Sequence, residues 1–192
     1  GPTHEPVEQL AGLRAIPNLK TIRPADGNET RAAWKVAVES ESTPTALVLT
    51  RQDVEVLDVD YEIVETGVAR GGYIVYDTGD DAIIFASGSE VSLAVKAAEK
   101  LAEQGVLIKV ASIPNMSEFL SQDKEYQDSV LNKQIENRLA VEMAASIEWH
   151  RFVGMDGKLM TIDRFGESGP GAKVVEHLGF TVDKVVKKVL EK

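Results

Sequence analysis

Two side chains near the start of the sequence, His4 and Arg51, stand where an α/β protein carries ligand-binding groups. His4 comes just before a predicted helix over residues 6–15, whose first turn holds Pro6, a residue favoured at that position. Free N–H groups and the helix dipole favour anions there. Arg51 directly follows an apolar run, residues 45–50, and open α/β sheets bind ligands beyond the carboxyl ends of strands. A guanidinium can hold a carboxylate or phosphate there, which predicts a site for an anionic ligand.

Each of these two residues also has a simpler interpretation. A single histidine near a helix start can be a capping or surface residue. An arginine after a strand can be a solvated strand end. The periodicity of the sequence does not separate these alternatives.

The composition excludes several classes of function. The chain has 192 residues, of which 43% are hydrophobic, enough for one large domain or two small ones. It has no cysteine, which excludes disulfides, thiolate zinc sites and cysteine nucleophiles. Its three histidines have no metal-ligand spacing, so no structural metal is expected. No apolar run approaches the roughly eighteen residues of a spanning helix, and no signal peptide is visible, so we expect a cytoplasmic protein without a membrane partner.

The formal net charge of −10 argues against a nucleic-acid partner, which would require a basic face. The same charge repels an anionic substrate at long range. A phosphorylated ligand would therefore need local cations, of which Arg51 and Arg23 are the candidates.

Residues 1–57 are predicted to form the first of two units. The pattern indicates a strand over 19–23, a helix from the N-cap residue Asp26 to Glu39 and a strand over 45–50. Strand, helix and strand in this order predict a parallel pair. Residues 58–72 have no clear period and end in paired glycines, so they are interpreted as a linker.

Residues 73–192 are predicted to form the second unit. Apolar runs at 73–76 and 82–86, separated by a turn-forming segment, predict a hairpin. Further strands and helices alternate to the end of the chain. The fold class is therefore α/β, with two units that are each a mostly parallel sheet flanked by helices, the second a mixed sheet with one antiparallel edge strand. The turn at 87–90 could bind an anion, but a plain βα turn is favoured because no Gly-x-Gly-x-x-Gly occurs.

Five segments carry a resemblance to a known family. They are residues 1–10 (beginning Gly-Pro-Thr-His-Glu-Pro), 13–18, 22–26, 44–52 (ending Leu-Thr-Arg-Gln) and 165–170 (Phe-Gly-Glu-Ser-Gly-Pro). The first four resemble, in order and spacing, the end of the pyrimidine-binding domain of transketolase. The fifth resembles the Phe-Gly-x-Ser-x-Pro element of its C-terminal domain. Glu5, where the family often has Gln, and Gly169, in place of Ala, depart from the pattern.

The resemblance implies a part of an enzyme of the pentose phosphate pathway. Transketolases transfer a two-carbon ketol unit from a ketose phosphate to an aldose phosphate, as homodimers that use thiamine diphosphate with Mg²⁺ or Ca²⁺. His4 matches the family histidine that hydrogen-bonds the donor near its reacting carbons, and is expected to be catalytic and substrate-binding. Arg51 matches the arginine that holds the substrate phosphate.

The same resemblance implies what this chain lacks. The family's diphosphate and metal motif and its activating glutamate match nothing here, so we expect no bound cofactor or metal and no turnover by this chain alone. Gly1 is not an initiator methionine, and the chain is interpreted as truncated, with the rest of the transketolase chain as its partner.

Two alternatives remain at this stage. One is a related thiamine-diphosphate enzyme, such as deoxyxylulose-phosphate synthase or a keto-acid dehydrogenase β subunit, since such enzymes also carry the Gly-Pro-Thr-His element. The Leu-Thr-Arg-Gln segment and the Phe-Gly-x-Ser-x-Pro element count against it. The other alternative is a non-catalytic interaction module.

Overall fold

The computed structural model describes residues 1–191, which form two sheets flanked by helices. The first part contains α1 (Gln9–Arg14), β1 (Lys20–Ile22), α2 (Gly27–Glu39), β2 (Thr45–Leu47) and α3 (Tyr61–Ala69). The rest contains β3 (Tyr73–Asp77), β4 (Ala82–Ala86), α4 (Glu90–Ala102), β5 (Ile108–Ser112), α5 (Met116–Ser121), α6 (Lys124–Leu131), β6 (Arg138–Val141), a 3₁₀ turn (Ile147–Trp149) that runs into α7 (His150–Val153), β7 (Lys158–Met160), α8 (Gly171–His177) and α9 (Val182–Leu190).

The two-stranded sheet consists of β1 and β2, which pair in parallel as predicted. Helix α2 connects them and begins where the sequence places its cap, because the Asp26 side chain accepts a hydrogen bond from the backbone N–H of Glu29. Both α2 and α3 contribute to the buried apolar cluster beneath this sheet, through Ala32, Ala33, Val64 and Val68.

The five-stranded sheet has the strand order β3-β5-β4-β6-β7, in which only β3 and β5 pair antiparallel. Strand β4 lies at its centre, and all five of its residues are buried. Ile84 faces a cluster with residues from α4 and α9, whereas Ile83 and Phe85 face a cluster with residues from α5, α6 and α7. An apolar run without alternation fits a strand that is covered on both faces. The predicted α/β class and mixed second sheet are confirmed.

The predicted hairpin between 73–76 and 82–86 is wrong, because β5 lies between β3 and β4. The connecting residues pass around the start of β5. Thr78 N–H donates to the carbonyl of Ile108, and Asp81 N–H donates to the carbonyl of Leu107. Residues 77–81 do connect two strands, but the antiparallel partner of β3 is β5, which comes later in the sequence than β4.

Three further boundaries differ from the sequence-based prediction. Residues 61–69, predicted as part of a linker, form α3, whose Asp60 cap accepts from the N–H of Glu62. Helix α1 begins at Gln9 and not at residue 6, because residues 1–5 form a turn in which the N–H groups of His4 and Glu5 donate to the carbonyl of Gly1. Strand β2 ends at Leu47, so residues 48–50 lie in the connection before Arg51.

Among residues 1–191, no helix is both long and apolar enough to cross a membrane.

The division into units at residues 58–72 stays a prediction; because α3 occupies residues 61–69, the structure indicates that the protease-sensitive connection lies before this helix. Residues 51–58 contain no helix or strand, and the Glu55 side chain is 71% exposed. Glu62 and Glu65 lie within α3. Within residues 51–72, a glutamate-specific protease should therefore cut after Glu55 first, as read by mass spectrometry. Earlier cleavage after Glu62 or Glu65 would contradict the packing of α3.

Candidate functional site

A cavity of about 430 Å³ lies where the two sheets meet. It is lined by three groups of residues: the segment His4–Leu13, the segment Val48–Gln52 with Arg23, and Ser89, Met143 and Ala144 from the five-stranded part. The three candidates of the sequence analysis, His4, Arg23 and Arg51, thus line one cavity although they come from separate segments.

His4 lies in the turn before α1, and its side chain is exposed to the cavity. Its Nδ1 is hydrogen-bonded to Thr3 Oγ1 at 3.0 Å. Within residues 1–191 no hydrogen bond forms to Nε2, so this nitrogen can face a ligand. Helix α1 begins five residues later, so the predicted position of His4 directly before a helix N-terminus is wrong.

Arg51 is exposed, and it makes no ion pair or hydrogen bond within the part of the chain that the structure describes. It lies four residues beyond the end of β2, in the segment that forms one wall of the cavity. A guanidinium with five unused donors can hold a phosphate or carboxylate in a planar, paired geometry.

Arg23 also lines the cavity, but its charge is already balanced. Its Nη1 lies 2.7 Å from Glu90 Oε2 and 3.5 Å from Glu142 Oε1, and both carboxylates are fully buried. Burial lowers the pKa of Arg23, but the two carboxylates outweigh it and raise the pKa. Arg23 is therefore a structural cation and not the free phosphate ligand that the sequence allowed.

Arg14, at the end of α1, completes this group, which we call the Arg–Glu cluster (Arg14, Arg23, Glu90 and Glu142). Arg14 donates two parallel hydrogen bonds of 2.8 Å to the two oxygens of Glu142, and its side chain is only 5% exposed. Glu142 also accepts from Trp149 Nε1 at 2.7 Å and from the Ser87 hydroxyl. Burial alone would raise the pKa of Glu142, but Arg14, Arg23 and the hydrogen bond from Ser87 lower it to about 2.

The topology explains how the cluster forms. Strands β4 and β6 are parallel neighbours, and Ser87 and Glu142 directly follow them. Their side chains therefore meet at one edge of the sheet, and Glu90 joins them as the first residue of α4. The turn at 87–90 binds Arg23, which follows a strand of the two-stranded sheet. The turn therefore binds a cation, and the alternative that it binds an anion is wrong.

The sequence analysis missed Arg14, Glu90 and Glu142 as members of this site. A signal was present for Glu142, since a carboxylate directly after a buried apolar run has the same pattern that selected Arg51. Its partner could not be read from the sequence, because Arg14 lies 128 residues away.

Comparison with known proteins identifies the family. The profile described as "Transketolase-like TK C-terminal domain" matches residues 71–181, and "Transketolase, pyrimidine binding domain" matches residues 1–56. The chain belongs to the transketolase family. The similarity to transketolase stated from the five sequence segments is thereby confirmed.

Individual transketolases agree with this assignment. Transketolase of Staphylococcus aureus strain MW2 is 55% identical over 192 residues, which are 99% of this chain and 29% of that protein. The structure of transketolase from Leishmania mexicana has a TM-score of 0.88 and 41% identity, and covers 97% of this chain and 27% of that one. A Pichia stipitis transketolase in complex with sedoheptulose-7-phosphate has a TM-score of 0.87 and 39% identity. The match covers 98% of this chain and 28% of that one. The chain thus spans under a third of the length of these relatives.

Thiamine diphosphate is the cofactor that the transketolase family implies, but the described side chains do not fit the metal that accompanies its diphosphate. Within residues 1–191, no three His, Asp or Glu side chains are grouped so that they could hold a metal ion. The two carboxylates of the Arg–Glu cluster already bind guanidinium groups. What this transketolase segment offers at the cavity is an imidazole and one unpaired guanidinium.

A further buried carboxyl, Glu29 on α2, connects the two sheets of this chain. Its Oε1 accepts hydrogen bonds from the hydroxyls of Tyr73 at 3.0 Å and Ser112 at 2.6 Å, and Oε2 accepts from the N–H of Ala25 at 2.7 Å. It has no cationic partner among the described residues. Burial raises the pKa of Glu29 to about 7, and the hydrogen bonds oppose only part of that effect.

This raised pKa predicts a loss of stability with rising pH. The folded state binds the Glu29 proton more tightly than the unfolded state does, so the stabilisation is complete below pH 4.5 and is lost as pH rises through about 7. Glu29→Gln removes the titration. Between pH 5 and pH 8 the free energy of unfolding of the wild-type chain should fall relative to that of the variant, by on the order of 3 kcal/mol.

Urea unfolding of both proteins across this pH range measures the difference. In the variant the amide oxygen can accept from the Ala25 N–H while the amide NH2 donates to the hydroxyl oxygens of Tyr73 and Ser112. Any cost of the substitution itself does not vary with pH, so the change of the difference with pH is the test. Glu103→Gln, an exposed position directly after α4, is the control and should follow the wild type. A constant difference between Glu29→Gln and the wild type would contradict the prediction.

Proposed function

We propose that this chain supplies part of the substrate site of a transketolase, which transfers a two-carbon ketol unit from a ketose phosphate to an aldose phosphate. The observation that carries the proposal is that His4 and Arg51, 47 residues apart in the sequence, line the same cavity. An imidazole and a guanidinium in one cavity suit a ligand with hydroxyl or carbonyl groups at one end and an anion at the other.

In this proposal His4 acts on the reacting end of the sugar. The hydrogen bond between Thr3 Oγ1 and Nδ1 fixes the ring and leaves Nε2 for the donor substrate. A positioned imidazole can hold or move a proton at a hydroxyl oxygen at neutral pH. His4 is therefore proposed as both a catalytic and a substrate-binding residue.

Arg51 binds the phosphate in this proposal. The formal net charge of −10 opposes an incoming phosphosugar, and Arg23, the other arginine of the cavity, is neutralised by Glu90 and Glu142. The unpaired guanidinium of Arg51 therefore supplies the local positive charge. Two charge-assisted hydrogen bonds from one planar group also fix how deep the sugar enters.

The cofactor belongs to the remainder of the enzyme in this proposal. Thiamine diphosphate, held by Mg²⁺ or Ca²⁺, supplies the carbanion chemistry of ketol transfer. Within residues 1–191, no group of His, Asp or Glu side chains fits the metal. We therefore propose that this chain alone neither binds the cofactor tightly nor turns over substrate.

Family membership supports the finer features of the proposal. We propose that the full enzyme is a cytoplasmic homodimer of the pentose phosphate pathway and that its substrates are phosphosugars. The partner of this chain is then the rest of the transketolase polypeptide. The Pichia stipitis transketolase, whose structure contains sedoheptulose-7-phosphate, supports a sugar phosphate as the ligand class. The similarity to transketolases favours this proposal over the related thiamine-diphosphate enzymes and over an interaction module.

The role of Arg51 predicts a selective kinetic defect in the full-length enzyme. Losing a hydrogen bond to a charged group costs about 1.5–3 kcal/mol. Arg51→Ala should therefore lower kcat/KM for phosphorylated sugars by roughly 10- to 150-fold. Most of the loss should appear in KM, since the phosphate is bound equally in the ground and transition states. Arg51→Lys should recover only part, because an ammonium lacks the planar fork.

Steady-state kinetics with a phosphorylated donor and with hydroxypyruvate, on the same variants, measure this selectivity. Hydroxypyruvate has no phosphate and should be nearly indifferent to both changes. Arg151→Ala removes an exposed arginine on α7 that does not line the cavity, and it serves as the control. Equal losses for the two donors would make Arg51 a structural residue and would sink its assignment to the phosphate.

A further inference from the structure

One loop of the five-stranded part, residues 165–171, packs against both segments that carry the proposed substrate residues. The loop follows β7 and leads into α8. Neither the proposed chemistry of His4 nor that of Arg51 gives it a role.

The first contact is with the turn that carries His4. The Ser168 side chain fills the space beside Gly1, so closely that a Cβ added at Gly1 would come within 2.1 Å of the Ser168 hydroxyl oxygen. Gly166 lies against Val7, whose Cγ1 would be 3.6 Å from a Cβ at that glycine. The loop thus touches the chain three residues before and three residues after His4.

The second contact is with the residue next to Arg51. Gly171, the first residue of α8, faces the Gln52 side chain. A Cβ at Gly171 would lie 2.9 Å from Gln52 Nε2 and 3.4 Å from its Cγ. Gln52 also lines the cavity. A side chain at residue 171 therefore meets the Gln52 side chain, and a bulky one also pushes on the segment that presents Arg51.

The loop is itself held at several points. Before it, Asp163 accepts hydrogen bonds from the N–H of Ser146 at 3.0 Å and from its hydroxyl at 2.9 Å. Within it, Glu167 pairs with Arg164 at 2.9 Å and lies 3.3 Å from His177 Nε2. These contacts are local to the five-stranded part, so they fix the loop relative to that sheet.

We propose that the 165–171 loop positions His4 and Arg51 relative to each other, with Ser168 and Gly171 as the positioning residues. The inference rests on the proposed function of those two residues. The distance between an imidazole and a guanidinium sets which sugar phosphate fits, because one ligand must reach both. Misplacement of about 1 Å can cost on the order of 100-fold in rate. This gives the C-terminal part of the chain a role in substrate positioning as well as in assembly.

Substitution at Gly171 in the full-length enzyme tests the Arg51 side. Gly171→Ala displaces only the end of a flexible side chain, whereas Gly171→Val must move Gln52 and the segment beside it. We expect KM for a phosphorylated donor to rise about 2-fold in Gly171→Ala and roughly 5- to 20-fold in Gly171→Val, below the loss for a full ångström of misplacement. The KM for hydroxypyruvate should stay within about 2-fold, since it makes no phosphate contact.

Substitution at Ser168 tests the His4 side. Ser168→Val adds bulk against Gly1 and the turn that holds His4. Because His4 faces the reacting end common to all donors, kcat should fall several-fold, on the order of 3- to 10-fold, for phosphorylated and unphosphorylated donors alike. Gly171→Val should thus affect only phosphorylated donors, through KM, whereas Ser168→Val should affect all donors, through kcat.

Two controls separate positioning from general packing. Ala172→Val places the same side chain at the next residue of α8, where the chain is exposed. Gly12→Ala adds a Cβ in α1 that meets nothing within 4 Å. Both should retain the kinetics of the unchanged enzyme.

The outcomes are distinct from those of the proposed function. A selective KM effect in Gly171→Val together with an unselective kcat effect in Ser168→Val supports the proposal. No kinetic change in either variant, or equal losses for both donors in Gly171→Val, overturns it. If Arg51→Ala measured in the same assay is selective while Gly171→Val is not, the phosphate role stands and only the positioning role falls.

Discussion

The structure depends on one buried electrostatic constraint, the charge balance of the Arg–Glu cluster. Two arginines from the two-stranded part meet two carboxylates that follow strands of the five-stranded sheet, and all four side chains are nearly inaccessible. Removing such charges from water costs several kcal/mol per ion, and only near-ideal geometry offsets that cost. The paired hydrogen bonds from Arg14 to Glu142 meet this condition. The cluster therefore specifies one relative placement of the two sheets.

This placement has consequences for the cavity above it. Since Glu90 and Glu142 neutralise Arg23, the cavity presents the unpaired charge of Arg51 in a chain whose net charge is −10. A phosphate that enters would then be directed to one guanidinium and not shared between two. The 165–171 loop and the buried Glu29 add further contacts between the same two parts. The proposed substrate site and the contacts between the two parts of the chain thus share one interface.

Features with local signals could be predicted from the sequence, whereas features made by distant partners could not. The Asp26 cap set the start of α2, and the strand-length apolar runs marked most strands. The hairpin failed because β5 inserts between two strands that are adjacent in the chain. His4 and Arg51 were predicted as single residues by position and by family resemblance, and the structure shows that both line one cavity. Glu142 was missed because its function depends on Arg14, 128 residues earlier.

The most direct measurement of the central claim is the free energy of unfolding of Glu142→Gln. This change keeps the shape of the side chain but, among the described residues, leaves Arg14 without an ion-pair partner and Arg23 with Glu90 alone. Breaking a buried pair by removing one partner costs about 3–5 kcal/mol, so urea unfolding should show a loss of that size. An exposed ion pair contributes at most about 1 kcal/mol. A loss below that value would contradict the account, because the cluster would then not hold the two sheets together.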